Sequence, residues 1–373
     1  MKETFDNWHI KIADGLMNIY PLLDQHWSYD YGVVWKGMAT LYELTGKQTY
    51  FGYLKRGVDS FLNADGTVIR HYDREEYNLD YINNGKILLY LWEKTGEARY
   101  RTAAEMLMDQ VLHQPRTPEG GFWHKRIYEN QMWLDGLYMC APFYAQAAKA
   151  FKHPEWLEDV VHQFLLIREK TLHRLTGLSL HAWDSAHVQP WADPQTGCSP
   201  HVWGRAVGWY VCAVVDTLEV MPEGSFLYYN MVALLNDLIP NIWRARDPRS
   251  KVWKQVLDQP VRPGNYAESS CSAQFIYATA KAARLGLCKA IRPEAIREAY
   301  QGAVNEFIEV YKGNAIVCKC CQVAGLGNTQ ERDGSFAYYM SEPIVCNDCK
   351  GSGAMLQAAI EMEAYGIYEP ARP

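Results

Sequence analysis

The sequence lacks long apolar runs, although 48% of its 373 residues are hydrophobic. A membrane-spanning helix needs about 20 consecutive apolar residues, and no segment approaches that length. The N-terminal stretch, Met1 to Tyr20, alternates charged and apolar residues and so lacks the apolar core of a signal peptide. These absences predict a soluble, cytoplasmic protein without a membrane partner.

Basic residues are not in excess, because 37 Lys and Arg stand against 43 Asp and Glu and the formal net charge is -6. The Lys and Arg are dispersed rather than concentrated along one face, which argues against a nucleic-acid partner. Length alone suggests about two or three domains. Since no linker, charge block or low-complexity tract marks a boundary, we expect a single domain over residues 1–373.

Several cofactor and catalytic motifs are also missing. No glycine-rich nucleotide fingerprint lies between a strand and a helix, and neither a Gly-x-Ser-x-Gly elbow nor a His-Glu-x-x-His motif occurs. These absences argue against nicotinamide, phosphate-loop and zinc-protease chemistry. We therefore expect no cofactor and no catalytic metal.

Ten cysteines are present, and they fall into two groups. Because the chain is long and lacks an export signal, we expect free buried thiols at the five that are scattered among apolar or small residues, Cys140, Cys198, Cys212, Cys271 and Cys288. The spacing of the other five could hold zinc, but a Cys-x-x-Cys pair without a further cysteine between its ends occurs only once among them. The sequence leaves a structural metal open at Cys318, Cys320, Cys321, Cys346 and Cys349.

An internal repeat indicates the fold. The segment Leu41–Tyr50 recurs as Leu91–Tyr100, with a period of about 50 residues. Gly46 and Gly96 fall where a helix ends in a left-handed residue, so each copy predicts a helical hairpin. Weaker copies and a last helix bring the number of hairpins to about six: Ala147 to Ile167, Val211 to Leu238, Ala273 to Phe307, and Gly351 to Ala364.

Repeated helical hairpins can stack as an open solenoid or close into a ring. Three features favour a closed, all-α ring: the loops between hairpins are long, the terminal helices lack a polar capping face, and tryptophans are crowded near those loops. We expect little strand, limited to short runs such as Thr67 to Arg70. The crowded tryptophans predict an aromatic-lined cavity: Trp123, Trp133, Trp183, Trp191, Trp203 and Trp209.

Asp135 is the leading candidate for a catalytic acid. It lies in the segment Gln131–Met139, which is otherwise mostly aromatic and apolar. Burial disfavours the charged form of a carboxyl group and can raise its pKa enough to make it a proton donor near neutral pH. The alternative is that Asp135 merely caps a helix.

Asp80 is the second candidate, again beside aromatic residues at the start of a predicted helix. If Asp80 and Asp135 line one pocket, mutual repulsion and partial burial would hold a proton on one of them. The result would be an acid next to an ionised neighbour. Asp80 could instead be a helix N-cap, a position at which Asp is common.

Three further segments combine aromatic and cationic residues: Gly120 to Lys125, Leu180 to Asp184, and Trp203 to Trp209. Aromatic rings stack on the C–H faces of sugars, while His, Lys and Arg bind hydroxyls or a carboxylate. An acidic sugar would offer both a C–H face for the aromatic rings and a carboxylate for the cations. Taken singly, each residue has a structural alternative, such as a core tryptophan or an arginine at a helix terminus.

The chain resembles the unsaturated rhamnogalacturonyl hydrolases of glycoside hydrolase family 105, most specifically in the run Trp133–Gly136 within Gln131–Met139. The other segments that carry the resemblance are Gly120–Lys125, His181–Asp184, Gly197–Pro200, Arg205–Tyr210, Glu268–Ser270, Asn347–Asp348 and Gly351–Gly353. The resemblance implies an (α/α)6 barrel of six helical hairpins. It also implies an oligosaccharide substrate whose non-reducing end is a 4,5-unsaturated uronic acid, such as unsaturated galacturonyl-rhamnose, and acid-catalysed hydration of its C4–C5 double bond. Asp135 would be the general acid/base, Asp80 would assist, and the sugar site would be lined by Tyr29, His124, Lys125, Trp133, His181, Trp203, Arg205 and Trp209.

Other functions stay open at this point. A conventional inverting glycosidase could use Asp80 and Asp135, and a sugar epimerase on a similar ring could use His181 and His124 as a pair of bases. A non-catalytic carbohydrate-binding protein would need only the tryptophans. The sequence does not select between a galacturonyl and a glucuronyl substrate, nor does it name the adjoining sugar or the number of subunits.

Overall fold

The computed structural model describes residues 7–367, which are mainly helical. The helices are α1 (Trp8–Ile19), α2 (Tyr29–Thr45), α3 (Gln48–Asp59), α4 (Leu79–Ile82), α5 (Gly85–Thr95), α6 (Ala98–Leu112), α7 (Leu134–Ala150), α8 (Trp156–Thr171), α9 (Gly204–Leu218), α10 (Phe226–Arg244), α11 (Ser269–Arg284), α12 (Pro293–Phe307), α13 (Phe336–Ser341) and α14 (Cys349–Ile367). Two short 3-10 helices cover Arg74–Glu76 and Gln330–Arg332.

Six helices form a closed inner ring, in which α2, α5, α7, α9, α11 and α14 each pack against the next and α14 packs against α2. The outer helices α3, α6, α8, α10 and α12 each follow an inner helix and pack back on it, while α1 packs on α14. The predicted all-α (α/α)6 barrel is confirmed. Its sixth hairpin joins the first and last helices of the chain.

The turns of the repeat are those that the sequence predicts. Helix α2 ends at Gly46 and α5 ends at Gly96, with φ angles of 69° and 72°. A Cβ atom at either glycine would meet nothing within 4 Å, so space does not select glycine there. The left-handed backbone does, because other residues rarely adopt it.

The two rings differ in burial. Every residue of α9 is buried, because this inner helix has neighbours on all sides. Outer helix α12 buries a single stripe that follows helical spacing and leaves the opposite face to solvent. That stripe consists of Ile296, Ala299, Tyr300, Ala303, Val304 and Phe307.

The strands are short and form four two-stranded antiparallel sheets. They are β1 (Gln131–Trp133) with β4 (Ala182–Asp184), β2 (Leu172–His173) with β3 (Leu178–Ser179), β5 (Ile308–Tyr311) with β6 (Asn314–Val317), and β7 (Cys320–Cys321) with β8 (Ile344–Val345). The expectation of a strand at Thr67 to Arg70 was wrong, because that segment makes only an isolated bridge between Ile69 and Leu62. No helix among residues 7–367 is long and apolar enough to cross a membrane.

A buried cluster of charges ties three inner helices together. Asp216 on α9 accepts hydrogen bonds from Lys36, from Lys281 at 2.7 Å and from the hydroxyl of Tyr277 at 2.6 Å. Burial opposes the charged form of Asp216, but the two lysines outweigh it and hold its pKa well below the ordinary value. The carboxylate thus neutralises cations from two other inner helices, α2 and α11.

We expect Asp216→Asn to lower the free energy of unfolding by about 3–5 kcal/mol, because it leaves two lysines without their buried counter-ion. Urea unfolding followed by circular dichroism measures the change. The control is Asp109→Asn, which breaks a half-exposed pair with Arg74 and should cost less than about 1 kcal/mol. Equal effects of the two substitutions would contradict the structural role of Asp216.

Candidate active site

The candidate site lies at the N-terminal end of the inner ring. Each outer helix returns the chain, so the inner helices share one direction and their N-termini gather at one end of the barrel. Tyr29 opens α2, Asp135 lies in the first turn of α7, and Arg205 lies in the first turn of α9. Helix N-termini carry partial positive charge, which favours an anionic ligand at this end.

Asp135 is not a helix cap. The residue before α7 is Trp133, and no side chain caps this helix start. The Asp135 side chain keeps 12% of its surface exposed, and its Oδ2 lies 3.2 Å from Nε2 of His181. Neither atom makes a well-aligned hydrogen bond to another group among the described residues. Asp135 is therefore a nearly buried carboxyl group without a lysine or arginine partner among residues 7–367.

Short backbone contacts place His181 beside Asp135. Strand β1 pairs with β4, so Trp133 lies opposite Ala182. The N–H of Leu134 donates to the carbonyl oxygen of His181 at 3.0 Å. The approach of His181 to Asp135 is therefore set by the sheet, although 46 positions separate the two residues in the chain.

Asp80 has a different environment. The cap of α4 is Asn78, whose side chain accepts the N–H of Asp80 at 3.0 Å, so the N-cap alternative for Asp80 was wrong. Its carboxylate lies 2.7 Å from Nζ of Lys125 and 3.4 Å from Nε2 of His124. Burial alone would raise the pKa of Asp80, but Lys125 and His124 outweigh it and hold the pKa well below the ordinary value.

Asp80 is thus the ionised member of the predicted pair, and Lys125 and His124 beside it account for its lowered pKa. Its side chain retains 17% exposure. The loop that supplies Lys125 and His124 is tied to both carboxylate segments, because Leu79 N–H donates to the carbonyl of His124 at 3.1 Å and His124 N–H donates to that of Gln131 at 2.9 Å.

Aromatic rings connect the two carboxylates. His124 stacks on Trp133 with ring centroids 4.5 Å apart, and Tyr128 stacks on Trp133 at 4.9 Å. Trp133 meets His181 edge-on at 5.8 Å, and His181 in turn contacts Trp203 at 4.7 Å. Of the six tryptophans predicted to line a cavity, Trp133 and Trp203 lie in this run of rings, which also includes Tyr128, a residue that the sequence did not single out.

Arg205 is held by a buried network. Its Nη1 donates to the carbonyl oxygen of Cys321 and lies 4.0 Å from Oε1 of Glu268, while Nε has no partner among the described residues. Glu268 is fully buried and accepts the backbone N–H groups of Cys271 and Cys321. A cation at a helix N-terminus is opposed by the helix dipole, so the structural alternative of an arginine serving that terminus is disfavoured.

Tyr29 lies between these charges and the core. Its ring meets Trp209 edge-on at 6.1 Å, and Trp209 packs against Tyr138 at 4.4 Å with only 1% of its surface exposed. Burial raises the pKa of Tyr29 well above its ordinary value, with Arg205 opposing the rise and Asp80 adding to it. The hydroxyl of Tyr29 therefore stays protonated and can donate a hydrogen bond.

The sequence profile of the family described as Glycosyl Hydrolase Family 88 matches residues 3–365. The chain belongs to this family. It is a glycoside hydrolase, and the resemblance read from its motifs is confirmed.

This family 88 hydrolase is similar to individual proteins over most of its length. A solved structure from C. acetobutylicum, described as a glycoside hydrolase from family 105, is 44% identical, with a TM-score of 0.94 over 96% of this chain and 100% of that one. The unsaturated rhamnogalacturonyl hydrolase YesR of Bacillus subtilis is 28% identical, over 70% of this chain and 73% of its own. Protein Atu3128 of Agrobacterium fabrum is 37% identical, over 60% of this chain and 97% of its own.

A cavity of about 550 Å³ opens beside Tyr29 and Asp80 in the family 88 barrel. It is wide enough for a sugar ring, and its wall combines aromatic rings with polar groups, as carbohydrate sites do. Two loops contribute most of the wall: His26, Trp27 and Ser28 from one, and His71, Tyr72, Asp73 and Glu76 from the other.

The cysteines of the hydrolase do not form a metal site. Cys318 and Cys346 are joined in a disulfide, and the remaining eight are free and buried. Within residues 7–367, no group of three or more His, Cys, Asp or Glu side chains is arranged to hold a metal ion. The cytoplasmic location expected from the sequence stays a prediction. The Cys318–Cys346 bond does not support it, because disulfides are rare in a reducing cytosol.

Two supporting residues of the hydrolase were missed by sequence reasoning. Asn78 caps α4 and thereby frees Asp80, and Tyr339 contacts His181. A helix cap just before Asp80 was a usable local signal, since Asn is a preferred N-cap. Tyr339 offered none, because it lies 158 positions from its partner.

Proposed function

We propose that this glycoside hydrolase acts on oligosaccharides that end in a 4,5-unsaturated uronic acid and that it hydrates their C4–C5 double bond. The observation that carries the proposal is the contrast between the two carboxyl groups. Lys125 and His124 lower the pKa of Asp80 and keep it ionised, whereas Asp135 has the imidazole of His181 beside it but no lysine or arginine among residues 7–367. One group suits charge stabilisation, and the other suits proton donation.

The chemistry needs a single principal acid. An unsaturated uronide is an enol ether, so protonation of C4 by Asp135 creates positive charge shared between C5 and the ring oxygen. Water then adds at C5 and gives its proton to the Asp135 carboxylate, which restores the acid. The product is a hemiketal that opens, and the glycosidic bond is lost without attack at the anomeric carbon.

Asp80 would stabilise the cation. Because Lys125 and His124 keep this carboxylate charged, its negative charge is in place before the reaction begins. Such preorganised charge needs no rearrangement in the transition state.

The substrate carboxylate would be received by Arg205. Its Nε has no partner among the described residues, and Glu268 stands 4.0 Å from Nη1 rather than in close contact. The N-termini of α2, α7 and α9 add partial positive charge at the same end. Lys125 is the weaker candidate, because it is already bound to Asp80 at 2.7 Å.

The name of the relative YesR supports unsaturated galacturonyl-rhamnose as the specific substrate, and we include this disaccharide in the proposal. An epimerase is disfavoured, because the imidazoles of His124 and His181 each approach a carboxylate, Asp80 and Asp135 respectively. A conventional inverting glycosidase on the same two aspartates is the competing mechanism.

The test is turnover of an unsaturated disaccharide in heavy water. Hydration removes the ultraviolet absorbance of the conjugated double bond and places deuterium at C4 of the product. A saturated uronide disaccharide is the control, and we expect no turnover of it. Cleavage of the saturated compound, or product without deuterium at C4, would favour the inverting glycosidase.

A further inference from the structure

His181 has a second polar partner on the side away from Asp135. Its Nδ1 lies 2.8 Å from the hydroxyl of Tyr339, and both residues are fully buried. The ring of Tyr339 stacks on Trp203 at 6.0 Å, and Trp203 also contacts the His181 ring at 4.7 Å. The imidazole is therefore confined between Tyr339 and Asp135.

The hydroxyl of Tyr339 fixes the direction of this hydrogen bond. Nδ1 of His181 is its hydrogen-bond partner, and no second one occurs among residues 7–367. If Nδ1 carried the proton, the buried O–H would be left without an acceptor, which is unfavourable. Tyr339 therefore donates to Nδ1. Burial is the largest cause that holds the pKa of Tyr339 well above its ordinary value, so the donor keeps its proton.

A neutral imidazole that accepts at Nδ1 carries its own proton on Nε2. Nε2 of His181 faces Oδ2 of Asp135 at 3.2 Å. This approach is not aligned as a hydrogen bond, but a hydrogen on Nε2 so close to Oδ2 makes Oδ2 the less favourable place for a second hydrogen. That leaves Oδ1 to hold the acid proton. Oδ2 is fully buried, although 12% of the surface of the Asp135 side chain is exposed. Oδ1 is the only other polar atom of this side chain, so it is the oxygen that can meet a substrate.

We propose that Tyr339 is a positioning residue that acts through His181 to place the catalytic proton of Asp135 on Oδ1, the oxygen open to the substrate. The inference rests on the proposed function of Asp135 as a proton donor. It predicts that the Tyr339 hydroxyl affects the chemical step while making no contact with the sugar.

The first test is the tautomer of His181 by nitrogen-15 NMR of the free enzyme, with His181→Gln used to assign the signal. We expect the Nε2–H tautomer in the wild type and a gain of the Nδ1–H tautomer in Tyr339→Phe. A wild-type His181 that carries its proton on Nδ1, or protons on both nitrogens, would overturn the inference. This measurement needs no substrate, so it stands apart from any failure of the proposed function.

The second test is kinetic. We expect Tyr339→Phe to lower kcat for the unsaturated disaccharide about 10- to 100-fold, which is part of the effect of a general acid, and to leave KM within about twofold, as for a loss confined to the chemical step. The matched control is Tyr338→Phe, because the neighbouring hydroxyl donates to the carbonyl of Gly325 and not to His181. Melting temperatures identify any variant that fails to fold. An unchanged kcat in folded Tyr339→Phe, or an equal loss in Tyr338→Phe, would contradict the proposal.

Discussion

Asp135→Asn is expected to lower kcat for the unsaturated disaccharide by about 10³-fold or more, the upper part of the range for general acid–base catalysis. An amide cannot supply the acid proton to C4, yet it preserves the shape of the carboxyl group. Since Asp135 has no lysine or arginine partner among residues 7–367, the substitution leaves no such cation unpaired and the fold should hold. Loss of ultraviolet absorbance under single-turnover conditions measures the step.

A binding measurement separates a catalytic role of Asp135 from a role in substrate recognition. The uncleaved disaccharide should bind Asp135→Asn with an affinity close to the wild-type KM, as measured by calorimetry. Asp109→Asn, which changes a half-exposed aspartate of α6 that pairs with Arg74, supplies a control with the same change of chemistry. Full activity of Asp135→Asn, or a loss of affinity as large as the loss of rate, would refute the assignment of Asp135 as the acid.

Asp80→Asn is expected to lower kcat by about 10²-fold, less than the change at Asp135, because it removes charge stabilisation but not the proton donor. It also removes the anion that Lys125 and His124 face. The rate measured between pH 4 and 8 should therefore fall throughout and change its acid limb. A wild-type rate and an unchanged profile would show that this carboxylate serves only the local structure.

The same substitution changes the acid stability of the protein. The pKa of Asp80 in the folded state lies below its unfolded value of about 3.9. Its contribution to stability is therefore present above that pH and is lost as the pH falls through the folded value. As the pH is lowered, the melting temperature of Asp80→Asn should therefore fall less than that of the wild type. A parallel decline in the wild type and the variant would contradict the low pKa.

Local patterns accounted for the parts of the fold that depend on neighbours in the chain. Gly46 and Gly96 mark the hairpin turns because a helix end requires a backbone conformation that glycine adopts readily. The pairing of α1 with α14 was not predicted, because more than 300 residues separate them. Closure of the ring was predicted, but the pair of helices that forms the sixth hairpin needed the structure.

The site residues also fall into those that local sequence patterns predicted and those whose properties depend on the fold. Asp135 was found from its apolar flanks, and the aromatic and cationic residues around it came from motifs that resemble a family. The ionised state of Asp80 was not accessible from the sequence, because it depends on Lys125, 45 positions away, and on a cap supplied by Asn78.

The sequence by itself determined the hairpin repeat, the family and the leading acid, since each is carried by residues adjacent in the chain or by motifs in order along it. Only the tertiary structure decided which carboxyl group holds a charge, that Cys318 pairs with Cys346, and that Tyr339 supports His181. Those properties depend on burial and on distances of a few ångströms between segments far apart in sequence. The folded barrel sets these distances through the packing of its inner helices and the short sheet of β1 and β4.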